Sequence, residues 1–331
     1  METFQLRSEP VENRGPLLLI INGAVTGGAA IIVALRVISR KFIIKQLGPD
    51  DWTMIAATLF AILNVAIAGL GVKHGTGKHK WDLTQQDALP AAKLRYVTHI
   101  FYTLISGLIK ASICLLYLRL FPNIRNIILC TIVFITAMTV AIILATIFQC
   151  SPIDAVYNED KYEHYTCFPS IPFWYATAAL SLVTDILILV LPLKTLLGLQ
   201  IATRKRLIIL AMLSLGFFAC IASVVRMVYI VQLYRGSDPS WDTFDVSIWS
   251  GVELAVAIIT ASLPAIRPLL TTLFPRLLPS TRGVSRPANY GMQNKSASHL
   301  ERNISLSVLK GRRRSNMVDD ESTKALCESS T

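Results

Sequence analysis

Charged residues are scarce in this chain of 331 residues. Asp, Glu, Lys and Arg together make up 16% of it, whereas a soluble domain carries about 25%. Hydrophobic residues account for 53%. This composition excludes an ordinary soluble domain and predicts a multi-pass protein whose main partner is the lipid bilayer. Residues 1–16 are polar, so we expect no cleavable signal peptide before the first apolar run.

Motifs that would assign a phosphate, metal or cofactor site are also missing. The glycine-rich stretch 69–79 has Val72 where a phosphate loop needs its first glycine, and His79 where it needs Ser or Thr. His74, His79 and His99 have no cysteine or acid pattern beside them that would fix a metal geometry. We therefore expect no metal and no cofactor, and a flexible loop around His74 and His79.

Long apolar runs are abundant. A helix that spans a bilayer needs about 20 mostly apolar residues, and seven such runs are present, at residues 17–38, 53–72, 95–119, 126–149, 172–193, 207–234 and 246–267. The sequence therefore predicts an all-α membrane protein with a seven-transmembrane helix bundle. Pro264 is expected to kink or end the seventh helix. The odd number of helices and the lack of an internal repeat argue against a two-half transporter.

The expected domain organisation has three parts. Residues 1–16 form a short extracellular N-terminus, residues 17–270 form the bundle, and residues 271–331 form a disordered basic cytoplasmic tail. Lys and Arg near the helix ends favour this orientation modestly, and cysteines in one predicted outer loop favour it further. We expect the plasma membrane. The net charge of +11 lies mainly in loops and tail, so it indicates anionic lipid rather than nucleic acid.

Two cysteines flank a short acidic loop between the fourth and fifth runs. Cys150 ends one run, and Cys167 precedes the next. On an oxidising face they are expected to form a disulfide, and closing a loop of this size contributes about 3 kcal/mol. Cysteines in apolar runs are expected to be buried thiols, and the tail cysteine is expected to be reduced. These are Cys114, Cys130 and Cys220 in the runs, and Cys327 in the tail.

A short acidic motif precedes the second predicted helix. Asp50 or Asp51 is placed to cap that helix, and Trp52 stands where an interfacial aromatic residue belongs. Two interpretations remain open. The motif either fixes the helix end or provides an inner docking site for a cytoplasmic signalling partner.

Four charged residues interrupt the apolar runs. At a rise of 1.5 Å per residue, Lys110 and Asp185 lie roughly 12–14 Å from the inner boundary, and Arg226 and Glu253 roughly 10–12 Å from the outer one. An unpaired charge at such depth costs about 2.5–3.5 kcal/mol, so depth predicts the pairs Lys110–Asp185 and Arg226–Glu253. The pairs either specify the fold, or one of them lines an internal cavity and breaks when a small-molecule ligand binds.

Short motifs are distributed over residues 17–270. They include Arg36; Asp50, Asp51 and Trp52; Lys110, Ala111 and Ser112; Cys150, Pro152 and Cys167; Asp185; Leu191 and Pro192; Ser223 and Arg226; Glu253; and Ala261 to Pro264. As a set they resemble the fungal rhodopsin-domain or SAT4 family of seven-helix membrane proteins. The resemblance implies that fold and a receptor-like function of unknown ligand, with some members in secondary-metabolite gene clusters.

The resemblance does not extend to retinal binding. A retinal Schiff base needs a lysine, and residues 246–267 contain none. The lysine well inside the predicted bundle is Lys110, on the third helix. The chain is therefore not expected to be a photoreceptor.

Three functional classes remain. The first is a receptor-like sensor, whose tail serines follow basic residues and could be phosphorylated: Ser285, Ser305 and Ser315. The second is an intramembrane enzyme of the terpenoid cyclase or isomerase type, with Asp185 or Glu253 as general acid. The third is a transporter.

Overall fold

The computed structural model describes residues 13–83, 85–158, 161–168, 170–197, 203–236 and 239–273. Most of the predicted N-terminal segment and tail, including Ser285, Ser305, Ser315 and Cys327, lies outside these residues. Seven α-helices follow in order: α1 Gly15–Ile38, α2 Pro49–Lys73, α3 Gln85–Leu120, α4 Arg125–Ile147, α5 Ser170–Leu197, α6 Thr203–Arg235 and α7 Pro239–Leu273. A π-helical segment, Ser39–Ile44, extends α1.

Seven helices in the described part of the chain are long and apolar enough to cross a membrane. This confirms the predicted helix number. The bounds differ most for α3 and α7. Helix α3 begins at Gln85 and passes through Pro90, and α7 continues to Leu273, so it does not end at Pro264.

The bundle is organised around α3 and α7. Helix α3 packs against α2 and α4, and α7 packs against α1 and α6, while α3 and α7 also contact each other. A hydrophobic cluster between α1, α2, α3 and α7 includes Met54, Ile105, Ile109 and Ile258. A central helix must be buried on several sides, and α3 accordingly has the largest buried share of the seven spans.

Helix α4 lies at the periphery and packs mainly on α3. It is apolar on all sides, which suits a helix surrounded by lipid. Val133 is 67% exposed. Cys130 is also exposed, so the expectation that it is buried was wrong, because it lies on a face of α4 that no other helix covers. Cys114 and Cys220 are buried, as expected.

A small hairpin covers one end of the bundle. Strand β1, Cys150–Ser151, pairs antiparallel with β2, Thr166–Cys167, and Cys150 lies directly opposite Cys167. Their Cα atoms are 4.2 Å apart and the sulfurs are bonded. This confirms the predicted disulfide. We call this end of the bundle the disulfide end.

Candidate functional site

The Lys110 side chain, from α3, is held against one turn of α5. Its Nζ lies 3.1 Å from Asp185 Oδ1. It also donates to Ser181 O at 3.0 Å, Ser181 Oγ at 2.9 Å and Thr184 Oγ1 at 2.8 Å. The Lys110 side chain is only 9% exposed, and these acceptors replace the water that its ammonium group has lost.

The second pair joins α6 to α7. Arg226 Nε lies 3.1 Å from Glu253 Oε2, although its N–H makes no hydrogen bond there. The Tyr102 hydroxyl, from α3, donates to Glu253 Oε2 at 2.9 Å. The Arg226 guanidinium carbon lies 4.2 Å from the Tyr102 ring centroid, which adds a cation–π contact.

Ser223 connects the two pairs. Its hydroxyl donates to Glu253 Oε1 at 2.6 Å and lies 3.3 Å from Asp185 Oδ2. The structure therefore brings Lys110, Asp185, Arg226 and Glu253 into one polar network across α3, α5, α6 and α7. Ser223 precedes Arg226 by three residues and so shares its helix face. This spacing is the sequence feature that could have identified Ser223 as part of the network. No sequence signal separated Tyr102 from other aromatic residues.

A cavity of about 540 Å³ lies between the network and the disulfide end. Its volume is in the range of small-molecule sites, about 300–1,000 Å³. Apolar side chains such as Leu18, Ile230 and Leu254 line it together with Tyr102 and Arg226 of the network. Gln149 and Val156, beside the hairpin, also contribute to the lining. The network is therefore in direct contact with a space large enough for a ligand.

Several buried polar atoms in the cavity lining have no hydrogen-bond partner among the described residues. They are Asn22 Oδ1 on α1, Asn64 Oδ1 on α2, Thr76 Oγ1 in the following loop and Arg226 Nε on α6. A buried polar atom left without a partner costs about 1–3 kcal/mol. These atoms therefore favour an occupant with polar groups of its own.

A second cavity, of about 50 Å³, lies between α3, α4 and α5. It shares His99, Tyr102 and Arg226 with the large cavity, and hydroxyl side chains such as Thr139 and Thr177 line it. The space suffices for water, which occupies about 30 Å³ per molecule in the liquid.

At the opposite end of the bundle lies a second ionic cluster, formed by Arg36, Arg40, Asp50 and Asp51. Arg36 Nη2 lies 2.7 Å from Asp50 Oδ2, and its Nε lies 2.8 Å from Asp51 Oδ1. Arg40 approaches the same carboxylates at 3.4 and 3.7 Å. All four residues are buried. We call this end the Arg36 end.

The Arg36 cluster holds four helices together. Arg36 Nη1 donates to Ala261 O of α7 at 2.8 Å, and Ser112 of α3 donates to Asp50 O at 2.7 Å. Asp51 Oδ2 accepts from Gly48 N at 3.0 Å, which caps α2. This geometry favours the helix-fixing interpretation of the acidic motif. Trp52 is 64% exposed.

Pro264 lies inside α7 at the level of this cluster. Proline breaks the hydrogen-bond ladder of a helix, and neighbouring side chains satisfy the loosened carbonyls in membrane helices. Here Arg36 donates to Ala261 O, three residues before Pro264, and Ser39 donates to Ala265 O at 2.9 Å, three residues before Pro268. These donors from α1 and its π-helical extension stabilise this part of α7.

The loop between the strands has its own electrostatics. Asp154 accepts a 2.6 Å hydrogen bond from the Tyr157 hydroxyl, and Lys161 Nζ lies 3.5 Å from the same carboxylate. The Tyr157 bond, followed by the Lys161 contacts, lowers the pKa of Asp154. The carboxylate is therefore ionised near neutral pH and helps to order this exposed loop.

The three histidines are not brought together. His74 Nδ1 lies 3.1 Å from Asp87 Oδ1, His79 stacks between Trp81 and Trp241, and His99 meets the edge of Trp174. Among the described residues there is no group of three or more metal-ligating side chains.

Comparison with known proteins agrees with this architecture. The profile of the fungal rhodopsin domain matches residues 35–272. The chain belongs to this family. The family region contains both ionic sites and most of the cavity lining. No solved structure matches the chain significantly.

Three relatives are informative. A "SAT4 family membrane protein" of Emericella nidulans is 32% identical over 68% of this chain and 57% of its own length. The "Polyenoic acids biosynthesis gene cluster protein Ba17b" of Metarhizium anisopliae is 29% identical over 83% and 78%. The "Receptor GIN3" of Arthrobotrys oligospora is 26% identical over 80% and 64%. The chain thus spans less than two thirds of the length of two of them.

Proposed function

We propose that this member of the fungal rhodopsin domain family is a receptor-like protein that binds a small molecule in the 540 Å³ cavity. One observation carries the proposal: Arg226 and Tyr102 line the cavity and also belong to the network that joins four helices. The name of the GIN3 relative supports a receptor. The name of the Metarhizium relative supports a link to secondary metabolism.

The network provides a route from ligand to helix movement. A ligand group beside Arg226 changes the balance of the Arg226–Glu253 contact, and Ser223 passes the change to Asp185 and Lys110 on α5 and α3. A ligand shifts a conformational equilibrium only through a difference in affinity for the two states. Here the two states would differ in whether the Arg226–Glu253 pair is intact or rearranged, and the ligand would bind one of them more tightly.

Helix α7 would carry the change to the Arg36 end. It holds Glu253 in the network and presents Ala261 O to Arg36. These positions are eight residues apart in the sequence, about 12 Å along the helix. A cytoplasmic signalling partner would then sense the arrangement of α1, α2 and α7, with the disulfide end outside and the protein in the plasma membrane.

The contacts of the two acids favour a receptor over an intramembrane cyclase or isomerase. A general acid must carry a proton to donate. Asp185 lies beside the Lys110 ammonium, and Glu253 accepts from Tyr102 and Ser223 beside Arg226. Neither acid lies among the described residues that line the two cavities, so neither is placed to protonate a substrate held there.

A thermal-shift screen in lipid nanodiscs tests the proposal. A library of defined small molecules is screened against the wild type and against two phenylalanine variants. Ser247→Phe fills the cavity that Ser247 lines, whereas Val133→Phe enlarges an exposed residue of α4. Compounds that stabilise the wild type and Val133→Phe, but not Ser247→Phe, are the expected result. Equal stabilisation of all three proteins would contradict binding in the cavity.

A further inference from the structure

The Arg226 guanidinium is buried but lacks hydrogen-bond acceptors. The residue is 5% exposed, and a guanidinium carries five N–H donors. Its contacts in the described structure are the 3.1 Å ion pair with Glu253 and the face of the Tyr102 ring. Neither is a hydrogen bond, and Nε has no hydrogen-bond partner among the described residues. Buried guanidinium groups are normally fully hydrogen-bonded.

The nearest carboxylate, on Glu253, makes no hydrogen bond to the Arg226 guanidinium in the described structure. Glu253 Oε2 accepts from Tyr102, and Oε1 accepts from Ser223. Glu253 therefore compensates the charge of Arg226 without filling its donors. A planar group with two acceptor oxygens would fill them, and carboxylates match guanidinium in this way through two parallel hydrogen bonds.

The charged residues that line the cavity also agree with a ligand that carries a carboxylate. Two arginines, Arg95 and Arg226, line it, and none of its lining residues is Asp or Glu. An apolar space whose polar lining includes arginine suits a ligand with a hydrophobic body and acceptor oxygens.

A second polar position lies on another wall. Asn22, which is 6% exposed, has an unpartnered Oδ1, and so does Asn64 on the neighbouring helix. Asn22 packs closely on α7, because a Cβ at Gly251 would collide with Asn22 Oδ1. A hydroxyl group suits both asparagines, since it donates and accepts whichever way each amide is turned.

We infer that the cavity recognises a lipophilic carboxylic acid, with its carboxylate on Arg226 and a hydroxyl on its body at Asn22 and Asn64. The inference rests on the proposed function and names the ligand class of the same site. No bond is made or broken, and the recognition is noncovalent. Neutral molecules of the same shape lack the charge and the two equivalent acceptor oxygens of a carboxylate, so they bind more weakly.

Three ten-carbon ligands and a set of positional isomers test the carboxylate. The ligands are decanoic acid, methyl decanoate and decanol, and the set consists of the hydroxydecanoic acids. Each is titrated against nanodisc-embedded wild type, Ser247→Phe and Val133→Phe, with binding followed by tryptophan fluorescence and calorimetry. We expect the acid to bind about tenfold or more tightly than ester and alcohol, and one hydroxy isomer to bind more tightly than the plain acid. Ser247→Phe should abolish this binding, and Val133→Phe should not.

Variants of the polar residues locate the two groups. Arg226→Gln should remove the preference for acid over ester, and Asn22→Leu should remove the gain from the hydroxyl while keeping that preference. If Arg226→Gln does not fold, the ratio of the wild-type affinities for acid and ester decides whether the site prefers a carboxylate. If the ester or the alcohol binds as tightly as the acid, and Ser247→Phe blocks that binding, the ligand class is wrong. The proposed function is then still supported. Acid binding that Ser247→Phe leaves intact, or no binding by any acid, also overturns the inference.

Discussion

Replacing Arg36 with lysine tests whether the ionic cluster at the Arg36 end fixes the helices. The change keeps the positive charge and removes only the planar guanidinium group with its several N–H donors. Arg36 uses three nitrogens for three acceptors, Asp50, Asp51 and Ala261 O, at 2.7, 2.8 and 2.8 Å. A lysine ammonium is a single point on a flexible stem and does not reach three acceptors in these directions.

The magnitude follows from the contacts that are lost. A hydrogen bond to a charged group contributes about 1.5–3 kcal/mol, and leaving a buried group unpartnered costs a similar amount. We take about two of the three bonds as lost, with part of the loss offset by Arg40, which already lies 3.4 Å from Asp50. The expected destabilisation by Arg36→Lys is therefore about 2–4 kcal/mol. At about 2–4 °C per kcal/mol, the apparent Tm falls by roughly 4–16 °C.

Arg119→Lys is the matched control. Arg119 is an exposed arginine at the end of α3 with one hydrogen bond, to Gln46 Oε1 at 3.1 Å. Its replacement is expected to change stability by less than about 0.5 kcal/mol. Thermal denaturation of the purified proteins in one detergent, at one scan rate, provides the comparison. Equal Tm values for the two variants would refute the argument that the Arg36 fork holds α2 and α7.

Three further predictions concern other parts of the chain. Asp185→Asn should lower the amount of folded protein, because it leaves the Lys110 charge without its partner. The charge-swapped double variant, Lys110→Asp with Asp185→Lys, should recover part of that loss. A double variant that is no better than the worse single variant counts against the pairing. Cys150→Ser should destabilise by about 3 kcal/mol and make Cys167 reactive to a membrane-impermeant thiol reagent; labelling that does not depend on this change or on reductant argues against the bond. A protease added to intact cells should leave an epitope tag at Thr331 intact, and loss of the tag would reverse the proposed orientation.

Local properties of the sequence determined the helices and the disulfide. Apolar length is a local quantity, and a backbone inside lipid must satisfy its own hydrogen bonds, so each of the seven runs had to be a helix. The two cysteines flank one short loop, which left few alternative disulfide partners for Cys150. Helix depth is also local, because each residue adds 1.5 Å, so Lys110 and Asp185 could be assigned to one level before any fold was known.

Rotation of the helices about their axes and contacts between distant segments were decided only by the tertiary structure. Depth does not tell which way a side chain points, so it did not reveal that Ser223 joins the two acids or that Tyr102 donates to Glu253. The same holds for Arg36, whose partners lie on α2 and α7, and for Cys130, whose exposure depends on which face of α4 the neighbours leave uncovered. The cavity is the clearest case. Its lining comes from several helices and two loops, and a cavity is a property of their packing that no single segment of sequence contains.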